Sequence, residues 1–137
     1  MANSNDSEFI QMVAGHMQNG FLENIIDMFK HDPALYSMLP HLIADERLVV
    51  RIGTTALIET LNEEDRNNVQ KAVPLLMPLL LHGNPNIRGD VANILGIISD
   101  SDISGSMEPL LHDNNVHVRV IAKEAIEEIK ERISGGS

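Results

Sequence analysis

The residues of this chain most able to do chemistry are its six histidines, at positions 16, 31, 41, 82, 112 and 117, together with the acids beside them. His31-Asp32 and His112-Asp113 are both His-Asp dipeptides. Such a pair holds a divalent metal only when further His and Asp ligands come from packed helices. His31-Asp32 stands at a proline-marked helix start, so its aspartate reads as a cap. Glu108 and His112 are four apart and share a helix face, with His117 the nearest third donor. The simpler reading of that trio is a solvated group near a turn. With no cysteine, thiolate catalysis, disulfides and Cys-based zinc or iron–sulfur sites are excluded. Gly105 lies in a Ser-Gly-Ser-Met-Glu stretch with no strand before it, so it is not a nucleophile elbow. There is no glycine-rich phosphate loop, because Gly89 and Gly96 fall inside a helical pattern. The seven methionines are dispersed and read as core fillers. No catalytic, metal or cofactor residue is assigned, and the expectation is a protein that is not an enzyme.

The elements that would position these groups are helices. Apolar residues recur at helical spacing throughout, and no segment alternates as a strand does. Ser7 caps a first predicted helix carrying Phe9, Ile10, Val13 and Met17, which Asn19-Gly20 ends. Phe21 to Lys30 is the second. Asp32-Pro33 opens a third with Leu35, Leu39 and Leu42. Val49 to Leu61 follows, and Asn62 either ends it or caps the next helix. Glu63 to Leu81 is helical but contains Pro74 and Pro78, each of which should kink or interrupt it. Asn84-Pro85 starts a helix to about Ile98. A short helix over Ile103 to Leu111 and a last one from Asp113-Asn114-Asn115 to about Ile133 complete the chain. Ser134 to Ser137 reads as a flexible linker-like tail.

A chain of 137 residues is one domain by length, with 43% hydrophobic and 22% charged residues. Acids outnumber bases 20 to 10, and the bases are scattered. There is no basic stripe to neutralise phosphates, and aromatics are 3%, so neither nucleic acid nor an anionic membrane is an expected partner. The N-terminus lacks a signal-peptide pattern and no apolar run is long enough to span a bilayer. The expected setting is the cytoplasm.

Three segments of the chain superpose. They are Val50-Arg51-x-x-Thr54-x-x-Leu57-Ile58-x-x-Leu61, Ile87-Arg88-x-x-Val91-x-x-Ile94-Leu95-x-x-Ile98, and Val118-Arg119-x-x-Ala122-x-x-Ala125-Ile126-x-x-Ile129. The arginines lie 37 and then 31 residues apart, and Pro40, Pro78 and Pro109 precede them by 11, 10 and 10 residues. A helix pair cannot bury its stripe alone, so repeats of this kind must stack on one another. The pattern resembles the HEAT-repeat family over about residues 33–133.

The resemblance implies an all-α fold, an α-α superhelix or solenoid of about four helix pairs. Its parts would be an N-terminal capping pair over 7–31 and repeats over 33–62, 63–98 and 102–133. In the family an Asp in the turn, six residues before the Arg, forms a hydrogen-bonded ladder with it between neighbouring repeats. Asp45 with Arg51 and Asp113 with Arg119 fit. In the middle repeat the Asp position is His82, leaving Arg88 without an obvious acid, although Asn84 can supply an acceptor. All four aromatics lie in the first 36 residues, and the charged last helix reads as the polar face of a C-terminal cap.

In that family the second helix of each pair lines a concave face. Helical spacing assigns to it Val49, Ile52 and Ala56, then Asn86, Gly89, Asp90 and Asn93, then His117, Val120 and Glu124. The function implied is a non-enzymatic adaptor or regulatory module that docks a neutral or basic protein or peptide there, with no obligatory small molecule. The alternative is an accessory component or subunit of an enzyme, such as a lyase-like or chaperone-like HEAT protein or a metal-binding hydrolase. A HEAT-fold hydroxylase acting on a lysine derivative uses His-Glu dipeptides as iron ligands. This chain has none.

Overall fold

The computed structural model describes residues 4–135. Among them are eight α-helices, three 3₁₀ segments and no strand. The helices are α1 (Ser4–Gln18), α2 (Leu22–His31), α3 (Leu39–Ile43), α4 (Leu48–Glu64), α5 (Arg66–Leu76), α6 (Pro85–Ile98), α7 (Ser104–Met107) and α8 (Val116–Gly135). The 3₁₀ segments are Pro33–Met38, Met77–Leu81 and Glu108–His112. No helix among the described residues is long and apolar enough to cross a membrane. The chain divides into two compact units, Met1–Ala72 and Val73–Ser137.

Several boundaries differ from the sequence expectation. Helix α1 begins at Ser4, a turn before Ser7, with Glu8 near its start where negative charge is favoured. Helix α4 continues past Asn62 to Glu64 and stops at Asp65. Pro74 is accommodated inside α5, and the chain tightens into a 3₁₀ turn only from Met77, with Pro78 at its start. The third expected helix is divided: a 3₁₀ segment from Pro33 to Met38 precedes the short α3. At Pro33 and Pro78 the proline removes an N–H donor, and a tight i→i+3 turn absorbs the loss. The left-handed turn at Gly20, φ 80°, ends the α1 connection as the Asn-Gly pair suggests.

In the first unit, α4 contributes Val50, Leu57, Ile58 and Leu61 to a core shared with Val13 and Ala14 of α1, Ile25 and Phe29 of α2, and Leu39, Leu42 and Ile43 of α3. Phe29 meets Tyr36 edge-on with ring centroids 5.5 Å apart. The Tyr36 hydroxyl donates to Asp65 at 2.7 Å. Burial, reinforced by that bond, pushes the phenol well above its ordinary value. Asp65 also accepts from the Asn68 amide, so one carboxylate ties the start of α5 to the Pro33–Met38 segment.

In the second unit, α6 is buried on most sides, with Ile87, Val91, Ala92, Ile94, Leu95 and Ile98 in the core. It packs on α8 through Val118, Ala122, Ala125, Ile126 and Ile129. Arg132, expected on a polar outer face, instead turns back to α6. Its guanidinium donates to the carbonyls of Gly96 and Ser99, the unsatisfied acceptors at that helix's C-terminus.

Candidate functional site

The three arginines that mark the repeated segments sit in three turns built alike. Arg51 donates through Nη1 to the Asp45 carbonyl at 2.8 Å, Arg88 to the His82 carbonyl at 2.8 Å, and Arg119 to the Asp113 carbonyl at 2.6 Å. In each turn the residue six before the arginine also accepts, through its side chain, from the backbone N–H two residues on. The distances are 2.9 Å for Asp45 to Arg47, 3.0 Å for His82 to Asn84 and 2.9 Å for Asp113 to Asn115. His82 and Asp113 share one backbone conformation, φ −59° with ψ 146° and 147°. Asn84 and Asn115 then cap α6 and α8 by accepting from Asn86 and from His117 and Val118.

The acid partners are not distributed as the spacing suggests. The Asp45 carboxylate is gripped by Arg47, through Nε at 2.9 Å and Nη2 at 3.0 Å, while Arg51 enters the same turn through its carbonyls. Arg88, expected to lack an acid, makes a bidentate pair with Asp113, 25 residues on, both bonds being 2.9 Å. Arg119 reaches the Asp113 carbonyl, not its carboxylate. The guanidinium of Arg47 holds the Asp45 carboxyl below its usual range, and that of Arg88 does the same for Asp113.

His82 replaces a carboxylate with a neutral acceptor, since its Nδ1 must be unprotonated to accept the Asn84 N–H. His82→Asp restores the charged acceptor of the other two turns beside Arg88. It is expected to raise the stability of the second unit by about 0.5–1 kcal/mol in urea unfolding at neutral pH. A loss of stability would show that the imidazole is the better fit.

The residues assigned to a partner face fall into two groups. Val49 and Ile52 on α4 are 47% and 59% exposed, and Ala56 is half-buried beside them. In the second unit Asn86, Asn93, His117, Val120 and Glu124 are exposed and Asp90 is half-buried. Gly89 is a correction: it is buried. A Cβ there would lie 3.2 Å from Ile121 Cδ1, so the glycine admits an α8 side chain and offers no surface to a partner. The sequence missed Leu48 and Val116, 60% and 55% exposed, the first residues of α4 and α8. Their position three residues before Arg51 and Arg119 is the signal that would have found them.

No cluster of three or more His, Asp or Glu side chains able to hold a metal is present among the described residues. Glu108, His112 and His117 are all exposed. Compared with protein-family models, curated proteins and solved structures, the chain gives no match.

Proposed function

We propose that this chain is a non-enzymatic protein-interaction module made of HEAT-like helix pairs stacked as an α-α superhelix. The observation that carries the reading is the recurrence of one turn architecture at Asp45, His82 and Asp113, each closed by an arginine six residues on. Repetition of a helix–turn–helix element is what builds extended interaction surfaces. On this reading the outward faces of α4, α6 and α8 receive a neutral or basic protein or peptide. The exposed aliphatics at the starts of α4 and α8 act as anchors and the Asn86 and Asn93 amides as hydrogen-bonding groups. A cytoplasmic setting belongs to the same proposal.

Affinity capture from host lysate tests it, with wild type beside Ile52→Glu and Val120→Glu. Both positions are exposed, so the variants should keep the wild-type helical signal in circular dichroism. Proteins retained by wild type and lost from either variant are the expected result. Identical retention by all three would reject these faces as the site.

A further inference from the structure

The outward face of α4 has an apolar end and an acidic end, and we infer that this face, with the groove between α2 and α4, docks a lysine- or arginine-bearing amphipathic segment of a partner protein. The inference rests on the interaction-module reading and specifies its partner. Leu48, Val49 and Ile52 expose 60%, 47% and 59% of their surface. At 100° per residue, Leu48, Ile52, Glu59 and Glu63 share one stripe of α4. The opposite stripe, Val50, Thr54, Leu57, Ile58 and Leu61, is buried in the unit's own core. The exposed stripe is therefore one that unit 1 does not use to fold.

Beyond Ile52 the stripe turns acidic. Glu59 and Glu63 lie about 10 and 16 Å further along the axis at a rise of about 1.5 Å per residue. Alongside runs a groove of about 450 Å³, lined by Leu22, Glu23, Ile26 and Asp27 of α2 and Thr60 and Glu64 of α4, with no basic residue in its lining. At its edge Lys30 pairs with Glu64 at 2.8 Å. Glu23, Glu59 and Glu63 make no ion pair among the described residues, while Asp27 lies close enough to Lys30 to favour its charge.

Residues 1–72 hold 11 acids and five Lys or Arg. Of those bases Lys30 and Arg47 are committed to Glu64 and Asp45, and Arg51 to turn carbonyls. Exposed aliphatics supply contact energy, and the excess of carboxylates over bases chooses the sign of the partner. A second copy of this chain is a poor occupant, because self-pairing would set carboxylates against carboxylates or against the aliphatic end. The fitting segment places an apolar anchor on Leu48, Val49 and Ile52 and its Lys or Arg about 10–16 Å further on, two to three turns of helix.

The test uses the full chain and two fluorescein-labelled peptides followed by anisotropy. One repeats Leu-Lys-Lys-Leu-Leu-Lys-Leu; the other carries Glu for every Lys. The Lys peptide should bind about tenfold more tightly or better, and weaken as salt rises. Ile52→Ser, and separately Glu59→Gln with Glu63→Gln, should each weaken it by roughly fivefold or more, the second also flattening the salt dependence. Glu127→Gln with Glu128→Gln, a change of equal charge on α8, should leave binding unchanged. Equal binding of the two peptides, binding of neither, or indifference of the Lys peptide to both α4 variants would each overturn the inference. If the Glu peptide binds and Ile52→Ser removes it, the docking face stands and the basic partner falls. Failure of the module reading itself is a different result: no protein specifically retained by the wild-type chain in the capture experiment.

Discussion

Gly96→Ala is expected to destabilise the second unit by about 2 kcal/mol or more, lowering its melting temperature by roughly 10 °C. In most helix interiors the same change stabilises, by up to about 1 kcal/mol. Here the added Cβ would sit 2.7 Å from Ala125 Cβ and 2.9 Å from Ala125 Cα. The second contact is with the backbone of α8, so no side-chain rotation relieves it, and the two helices must separate along an interface that includes Ala122, Ile126 and Ile129. Gly15 in α1 is the internal control. A Cβ there meets nothing within 4 Å, so Gly15→Ala should gain stability while Gly96→Ala loses it. Thermal and urea unfolding by circular dichroism read both signs. A neutral Gly96→Ala would mean that α6 and α8 approach less closely than described.

Asp113→Ala carries the second large effect, a loss of about 3 kcal/mol at neutral pH. The pair it breaks is bidentate, with the Arg88 and Asp113 side chains only 13% and 8% exposed. The variant leaves a sheltered guanidinium without its acid and also removes the acceptor for the Asn115 N–H. Acid separates this pair from surface charge. The folded Asp113 carboxyl is held below its ordinary value by Arg88, so on acidification the unfolded chain takes up that proton first. The contribution is full above the ordinary aspartate value of about 3.9 and is lost as pH falls through the lower folded value. The stability gap between wild type and Asp113→Asn should therefore be wide at neutral pH and close on going well below about pH 4. A gap independent of pH would assign the cost to packing.

Much of the helical layout is legible in the sequence, because the longer helices advertise an apolar stripe and the starts of α3, α6 and α8 carry a cap or a proline. Asn84-Pro85 opens α6 at the expected residue, and Gly20 ends the first connection. The 3₁₀ segments were not legible: the prolines at 33, 78 and 109 mark an interruption without saying whether the chain breaks or tightens.

Side-chain destinations were harder still. Periodicity puts Gly89 on a stripe with Asn86 and Asn93, but the missing side chain lets Ile121 of α8 fill the space. Arg88 finds its acid 25 residues away, and Arg132 reaches back over 30 residues to the end of α6. No local pattern encodes either, since both depend on how α6 meets α8. The exposed aliphatics were legible in part. Val49, Ile52 and Val120 follow from helical spacing, whereas Leu48 and Val116 stand at the first turn, where the stripe has only begun.

The acidic groove beside α4 was missed for a related reason. Glu23, Asp27 and Glu64 are spread over some 40 positions, and only the packing of α2 on α4 brings them to one groove.

Site-specific photo-crosslinking in the host tests the central claim, that the outward faces of these helices receive a protein. Benzoylphenylalanine would replace Ile52 in one chain and Leu81 in another, positions 59% and 79% exposed. Discrete adducts of defined mass are expected from position 52 and none from position 81, although Leu81 is the more exposed. Adducts from position 81 alone, or equal smears from both, would contradict that claim.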